Sequence, residues 1–334
     1  MRVSALFSLA ALASVGSAKS GCGKAVPDAF PKPGSSKTLS LPHSNRSYRI
    51  HIPDNYDENT QAPLYMSFCG AGKDGHEQEG LSQFSNPTFN PDGIAVYPET
   101  DNGVWLSNTY AHTKHPNDLD FTDDLLTHLE ETLCIDKSRI YANGKSNGGE
   151  LAAVIACNAT VGSRFAAFSV VSGAWHETGD VPGVGKCEPA KRDEGYPFLI
   201  FHGTVDQTAP INGDVEDEIV PIIDVLHNWA ERNGCDKDQK WARNMTIHED
   251  PLVKRAGWDC DGKTNIVEFY REGDNGHCWP CTHSNDDYRS MGRKKCPMGH
   301  YVFNATEIIF DFYSRYSLNT GLTLDILGIY HDHF

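Results

Sequence analysis

The stretch Gly144-Lys145-Ser146-Asn147-Gly148 decides the fold of this chain. An apolar pattern at 138–143 precedes it and predicts a strand, and the run at 149–157 predicts a helix. A serine on a sharp strand-to-helix turn needs small residues two positions away on either side, and Gly144 and Gly148 meet that need. The pattern therefore predicts that Ser146 stands exposed at the carboxyl end of a sheet, as a nucleophile.

A serine hydroxyl is a weak nucleophile, so it needs a base, and the base needs an acid that orients it. The segment 196–206 has the pattern of a buried strand that ends in a glycine turn and Asp206, and the strand pattern at 265–270 leads into a loop that carries His277. The order of the three residues predicts a Ser146, Asp206 and His277 triad. Activity is expected to rise through the pKa of His277, which Asp206 is expected to move above about 6.5.

Other acidic and imidazole side chains compete for the roles of acid and base. The acidic ones lie in a segment of high negative charge, which predicts that water solvates them. One histidine precedes the glycine turn, where a hydrogen bond to the backbone is expected, and two lie among cysteines and charges with no strand before them. These competitors are Asp214, Asp217 and Asp224 for the acid, and His202, His283 and His300 for the base.

Two backbone N–H groups are expected to form an oxyanion hole beside the serine. One belongs to Asn147, directly after the nucleophile. The other is expected from the glycine-rich loop at 69–75, which follows the strand predicted at 62–68. Gly70 and Ala71 are the favoured donors in that loop.

Six stretches spread along the chain match one group of known proteins: Ser20 to Lys24, Phe68 to Gly72, Arg139 to Tyr141, Gly144 to Gly149, His202 to Asp206, and Gly276 to Pro280. On these stretches the chain resembles secreted esterases related to polyhydroxybutyrate depolymerases and fungal feruloyl esterases. The resemblance implies an α/β-hydrolase fold and hydrolysis of feruloyl, or hydroxycinnamoyl, esters of plant cell-wall polysaccharide by a serine acyl-enzyme mechanism. Acetyl xylan esterase, polyhydroxyalkanoate depolymerase and serine peptidase are the enzymatic alternatives, and a decayed hydrolase-fold binding protein is the non-enzymatic one.

Three aromatic residues follow the strand patterns at 93–98 and 170–173, whose carboxyl ends are expected at the same edge of the sheet as the serine. Trp105, Tyr110 and Trp175 are therefore candidates to stack on the ring of a phenolic substrate, and packing as core residues is the equal alternative.

Apolar residues spaced three and four apart at 121–133 predict a helix before the strand that leads to Ser146. The alternation of strand and helix patterns predicts a mostly parallel sheet with helices on both faces.

The amino terminus predicts a signal peptide over residues 1–18. Arg2 precedes a short apolar run and a small-residue cleavage site, and the run is too short to cross a bilayer. The mature chain is expected to begin at Lys19, to be secreted, and to form a single catalytic domain over 19–334.

Ten cysteines in a secreted chain predict stabilising disulfides. The favoured pairing joins Cys235 to Cys260, and a second choice joins Cys281 to Cys296. The stretch Cys278-Trp279-Pro280-Cys281 has no second cysteine pair at zinc spacing, so no metal and no other cofactor are expected. Four glycosylation sequons begin at Asn45, Asn158, Asn244 and Asn304.

The formal net charge of -16 disfavours nucleic acid and anionic membranes as partners. It suits an enzyme that acts on a neutral polymer, such as feruloylated arabinoxylan or a similar plant-wall ester. A monomer is expected.

Overall fold

A ten-stranded sheet forms the centre of the computed structural model, which describes residues 20–106, 118–176, 187–235, 243–246, 252–289, 296 and 301–318. In chain order the strands are β1 (Ser35–Ser40), β2 (Ser47–Ile52), β3 (Ala62–Phe68), β4 (Ile94–Pro98), β5 (Ile135–Lys145), β6 (Ala167–Val171), β7 (Phe198–Gly203), β8 (Arg243–Thr246), β9 (Val253–Cys260) and β10 (Lys263–Glu272). Their order across the sheet is β1-β2-β4-β3-β5-β6-β7-β10-β9-β8.

The middle of this sheet is parallel and its two edges are antiparallel. The pairings from β4 through β3, β5, β6 and β7 to β10 are all parallel. These six strands are the ones that the sequence patterns predict. Antiparallel β1 and β2 extend one edge, and antiparallel β9 and β8 extend the other. Parallel alignment places the carboxyl ends of the six central strands on one rim.

Helices cover both faces of the sheet. They are α1 (Gly75–Ser82), α2 (Asp118–Thr132), α3 (Asn147–Cys157), α4 (Ile222–Arg232) and α5 (Ala305–Ser314). Because side chains alternate along a strand, β3 sends Leu64 and Met66 into one buried cluster and Tyr65 against the other. The first cluster includes residues of α2, α3 and α4, and the second includes residues of α1 and α5. The expected mostly parallel sheet with helices on both faces is confirmed.

Four disulfides link the described chain. They join Cys22 to Cys134, Cys157 to Cys187, Cys235 to Cys260, and Cys278 to Cys296. The structure thus contains the favoured Cys235–Cys260 bridge. The second choice is wrong, because the sulfur of Cys296 bonds to Cys278, and Cys281 is a buried thiol, as is Cys69.

The sequons differ in exposure. Asn45 is exposed and Asn158 is half-buried, while the side chain of Asn244 lies outside the described part. Asn304 is only 4% exposed and caps α5, where its Oδ1 accepts a hydrogen bond from the backbone N–H of Thr306 at 3.0 Å. This contradicts the expectation of a glycan on Asn304, because glycosylation needs an accessible amide.

Residues 1–19, Tyr110 and the segment 319–334 lie outside the described residues. Within the described residues, none of the helices has the length and apolar character that a membrane span requires.

Candidate active site

Ser146 sits on a strained turn between β5 and α3. Its backbone has φ 56° and ψ -124°, a left-handed conformation that a residue with a side chain rarely adopts. The turn needs glycine on both sides: a Cβ on Gly144 would lie 2.1 Å from the carbonyl oxygen of Gly148, and a Cβ on Gly148 would lie 2.3 Å from that of Cys69. The sequence therefore forms a sharp elbow here, with Ser146 at the carboxyl end of β5.

The structure brings the three predicted triad residues into one hydrogen-bonded chain. His277 Nε2 lies 2.8 Å from Ser146 Oγ, and His277 Nδ1 lies 2.8 Å from Asp206 Oδ2. The other oxygen of Asp206 accepts backbone N–H groups from Thr208 at 2.8 Å and Ala209 at 2.9 Å. A carboxylate only accepts hydrogen bonds, so Nδ1 of His277 carries the proton and Nε2 is left to accept from the serine.

None of the competing residues that the structure describes is part of this hydrogen-bonded chain. His202 is buried, and its Nε2 donates to the carbonyl oxygen of Ala209 at 2.7 Å, which is a structural bond to the backbone. Asp214 accepts the backbone N–H of Glu216 at 2.9 Å, and His283 contacts Gln83 at 2.9 Å. Asp217 is exposed, Asp224 lies in the first turn of α4, and His300 is outside the described residues.

The environment of the triad favours an ionised acid and a neutral base. Burial alone would raise the pKa of Asp206, but its hydrogen bond to His277 and the charge of that residue hold it below its ordinary value. Burial lowers the pKa of His277, and the positive charge of Lys145 lowers it further, against the opposing effect of Asp206. The expected upward shift of the His277 pKa is therefore wrong, because desolvation and Lys145 outweigh the carboxylate.

The predicted oxyanion residues lie beside Ser146. Asn147 is the first residue of α3, where backbone N–H groups point out of the helix end. Gly70 packs against the nucleophile, since a Cβ there would lie 3.4 Å from Ser146 Cβ. Ala71 and Asn147 line the same cavity as the serine. This arrangement could direct two amides at an oxyanion.

Trp105 fixes the geometry between the oxyanion loop and the elbow. Its backbone N–H donates to Asn147 Oδ1 at 2.7 Å, and its indole N–H donates to the carbonyl oxygen of Cys69 at 2.9 Å. Its side chain is fully buried, and Trp175 is 3% exposed and packs near Phe198 in the core. Of the two alternatives for these tryptophans, stacking on a substrate and packing in the core, the structure has core packing for both.

The cavity above Ser146 has a volume of ≈ 510 Å³ and an acidic wall. Glu216, Asp217 and Glu218, here called the acidic segment, line it with exposed side chains. His176 lines it too, and its Nδ1 lies 3.1 Å from a carboxylate oxygen of Glu150. Burial alone would lower the pKa of His176, but Glu150 raises it above its ordinary value.

The sequence patterns do not predict that the acidic segment and His176 line the pocket. The acidic segment has the pattern of a solvated loop. Only its position after Asp206 indicates that it lies near the carboxyl ends of the central strands, where Ser146 is. Its position at the pocket depends on two isolated backbone bridges, one from Ile219 to His176 and one from Ile219 to Asp214.

The class of fold follows from this elbow, the parallel sheet and two solved structures. The acetyl xylan esterase from Aspergillus awamori is similar with a TM-score of 0.56 and 16% identity, over 73% of this chain and 94% of that chain. A thermostable esterase is similar with a TM-score of 0.52 and 17% identity, over 88% and 64%. The chain has an α/β-hydrolase fold, as expected.

Similar sequences are fungal feruloyl esterases. Feruloyl esterase B of Piromyces equi is 26% identical over 206 residues, which cover 58% of this chain and 37% of that protein. Feruloyl esterase D of Neurospora crassa is 28% identical over 303 residues, which cover 78% and 96%. The chain thus spans little more than a third of the first relative and nearly all of the second. No protein-family model matches the chain. The resemblance to fungal feruloyl esterases is confirmed.

Proposed function

We propose that the protein is a carboxylic ester hydrolase that cleaves feruloyl esters of plant cell-wall polysaccharide. The observation that carries this proposal is the hydrogen-bonded chain from Ser146 through His277 to Asp206, with both bonds at 2.8 Å, at the floor of an open cavity. The similarity to fungal feruloyl esterases supports the choice of ester. Disulfides and the predicted signal peptide support secretion, where such a polymer would be met.

In this mechanism Ser146 attacks the ester carbonyl while His277 Nε2 takes the hydroxyl proton. Asp206 stabilises the imidazolium that forms, and the amides of Asn147 and Ala71 stabilise the oxyanion. The intermediate collapses to an acyl-enzyme as His277 gives its proton to the departing sugar hydroxyl. Water, activated by the same imidazole, then releases the aromatic acid and restores the serine.

The open, polar cavity accommodates a polymer-linked ester. Its ≈ 510 Å³ falls within the usual range for small-molecule sites, and its wall carries carboxylates that can accept hydrogen bonds from sugar hydroxyls. The same carboxylates repel the anionic acid that hydrolysis produces. The hydrogen bonds favour binding of an uncharged sugar ester, and the repulsion favours release of the anionic product.

The test compares three substrate classes on one preparation. Initial rates are measured on methyl ferulate, acetylated xylan and a short hydroxybutyrate ester, for the wild type and for Ser146→Ala. We expect the highest kcat/KM on methyl ferulate and a loss of at least about 10⁴-fold in the variant. Higher activity on either of the other two esters would contradict the proposed substrate, and equal rates in both proteins would contradict the proposed nucleophile.

A further inference from the structure

Lys145, the residue directly before the nucleophile, is buried. Its side chain is 5% exposed and runs under the oxyanion loop, where a Cβ on Gly70 would lie 3.7 Å from Lys145 Cδ. Its Nζ lies 3.4 Å from Oδ1 of Asp287, which is 4% exposed. A cavity of ≈ 20 Å³ adjoins the pair, which is room for about one water molecule. Bulk water therefore screens this pair of charges weakly.

Asp287 belongs to the loop that carries His277. Its second oxygen, Oδ2, accepts the backbone N–H of Trp279 at 2.9 Å, two residues after the histidine. The Cys278–Cys296 disulfide closes the same loop on itself. Asp287 thus links the backbone next to His277 to the side chain of Lys145, the residue next to Ser146.

Stability alone is a weak reason for such a pair. Moving two charges out of water is unfavourable, and apolar replacements of buried ion pairs are often as stable. Catalysis, by contrast, requires a fixed distance between the turn that carries Ser146 and the loop that carries His277, because a misplacement of about 1 Å can lower the rate about a hundredfold. The Lys145–Asp287 pair spans the two segments whose separation fixes the distance between Ser146 and His277.

We infer that Lys145 and Asp287 are positioning residues: their buried ion pair holds the His277 loop against the nucleophile elbow and places a fixed positive charge beside the base. This inference rests on the proposed role of Ser146 as a nucleophile. It does not depend on which ester the protein prefers.

The charge of Lys145 should shift the pH dependence of activity in a direction that can be measured. The charged groups that act on His277 are Lys145 on the elbow, Asp206 after β7 and Asp287 in its own loop. Lys145 opposes the protonated imidazole, and the two carboxylates favour it. Burial lowers the pKa of Lys145 itself, and Lys73 lowers it further, while Asp287 and Asp206 favour its charged form. Without Lys145, the protonated form of His277 gains stability, so the acidic limb of kcat/KM should move to higher pH.

The experiment uses the full mature chain and hydrolysis of p-nitrophenyl acetate, which reports on the serine and its base whatever the natural substrate is. Lys145→Met removes one charge, and Lys145→Met with Asp287→Leu replaces the pair by apolar groups. The matched control is Asp286→Asn, which neutralises the neighbouring, half-exposed carboxylate that pairs with Arg289. Melting temperature, kcat and the pH profile are measured for each.

We expect both Lys145 variants to show an acidic limb at higher pH and a kcat lower by roughly ten- to a hundredfold. The double variant should regain much of the melting temperature that the single variant loses, because no unpaired charge is left buried. The Asp286→Asn control should stay within about twofold of wild type.

A double variant with wild-type kcat and an unmoved limb would overturn the inference, and so would failure of both Lys145 variants to fold, since the pair would then serve stability. If the wild type cleaves p-nitrophenyl acetate but not methyl ferulate, the proposed substrate fails while this inference stands or falls on the variants.

Discussion

Asp206→Asn tests the orientation of the base. In the structure Asp206 uses its two oxygens differently: Oδ1 accepts two backbone N–H groups, and Oδ2 accepts Nδ1–H of His277. An asparagine must keep its single oxygen towards the two backbone donors, because turning it round would break both bonds at about 1 kcal/mol each and set the NH₂ group against them. The NH₂ group therefore faces His277.

The imidazole must then carry its proton on Nε2, so it can no longer accept the proton of Ser146. We expect kcat to fall about 10⁴-fold, which corresponds to about 5.5 kcal/mol of transition-state stabilisation. The assay is hydrolysis of methyl ferulate and p-nitrophenyl acetate across pH, with circular dichroism to show that the fold is kept.

Asp274→Asn is the matched control, because Asp274 is exposed, lies three residues before His277, and has a φ of 59° that asparagine tolerates well. It should keep near wild-type activity. A loss of less than tenfold in Asp206→Asn, or an equal loss in both variants, would refute the assigned role of Asp206.

Because burial and Lys145 lower the pKa of His277, the base stays neutral to lower pH, and the acidic limb of kcat/KM should lie below about 6.5; a limb above that value would contradict it. Replacing the Cys278–Cys296 disulfide by alanines should lower the free energy of unfolding by about 3 kcal/mol, and replacing the Cys22–Cys134 disulfide, which closes a longer loop, should lower it by about 4.7 kcal/mol. The loss of kcat should be larger for the Cys278–Cys296 replacement. If the same replacement causes both the larger loss of stability and the larger loss of kcat, this prediction is wrong. Neutralising the acidic segment with glutamine and asparagine should strengthen product inhibition by ferulate about two- to fivefold per charge at low salt, and an inhibition constant that does not change with charge or salt would exclude its electrostatic role.

The sequence predicted the parts of the fold that local patterns determine. The six central strands are apolar because they are buried on both faces, and Gly144 is required by the carbonyl oxygen of Gly148, four residues along the chain. The triad followed from the order of a serine, an acid and a histidine, each after a strand end. These features depend on short segments and on one rule of topology.

Features that depend on long-range contacts were not predictable in the same way. The edge strands β1, β2, β8 and β9 lack the long apolar runs of the centre. Trp105 and Trp175 follow strand ends as pocket residues would, but the core encloses both. The partner of Cys296 could not be chosen by spacing, since Cys278 and Cys281 are three residues apart. The charge beside His277 comes from Lys145, 132 residues earlier in the chain.

The proposed function requires that Ser146 forms a covalent acyl-enzyme with a feruloyl group. The most direct measurement is intact and peptide mass spectrometry of the mature protein, quenched in acid milliseconds after mixing with an activated feruloyl ester. We predict one feruloyl group per chain, located on the peptide that contains Ser146 and absent from Ser146→Ala. A feruloyl adduct on another residue, or turnover of the ester in Ser146→Ala at the wild-type rate, would contradict the claim.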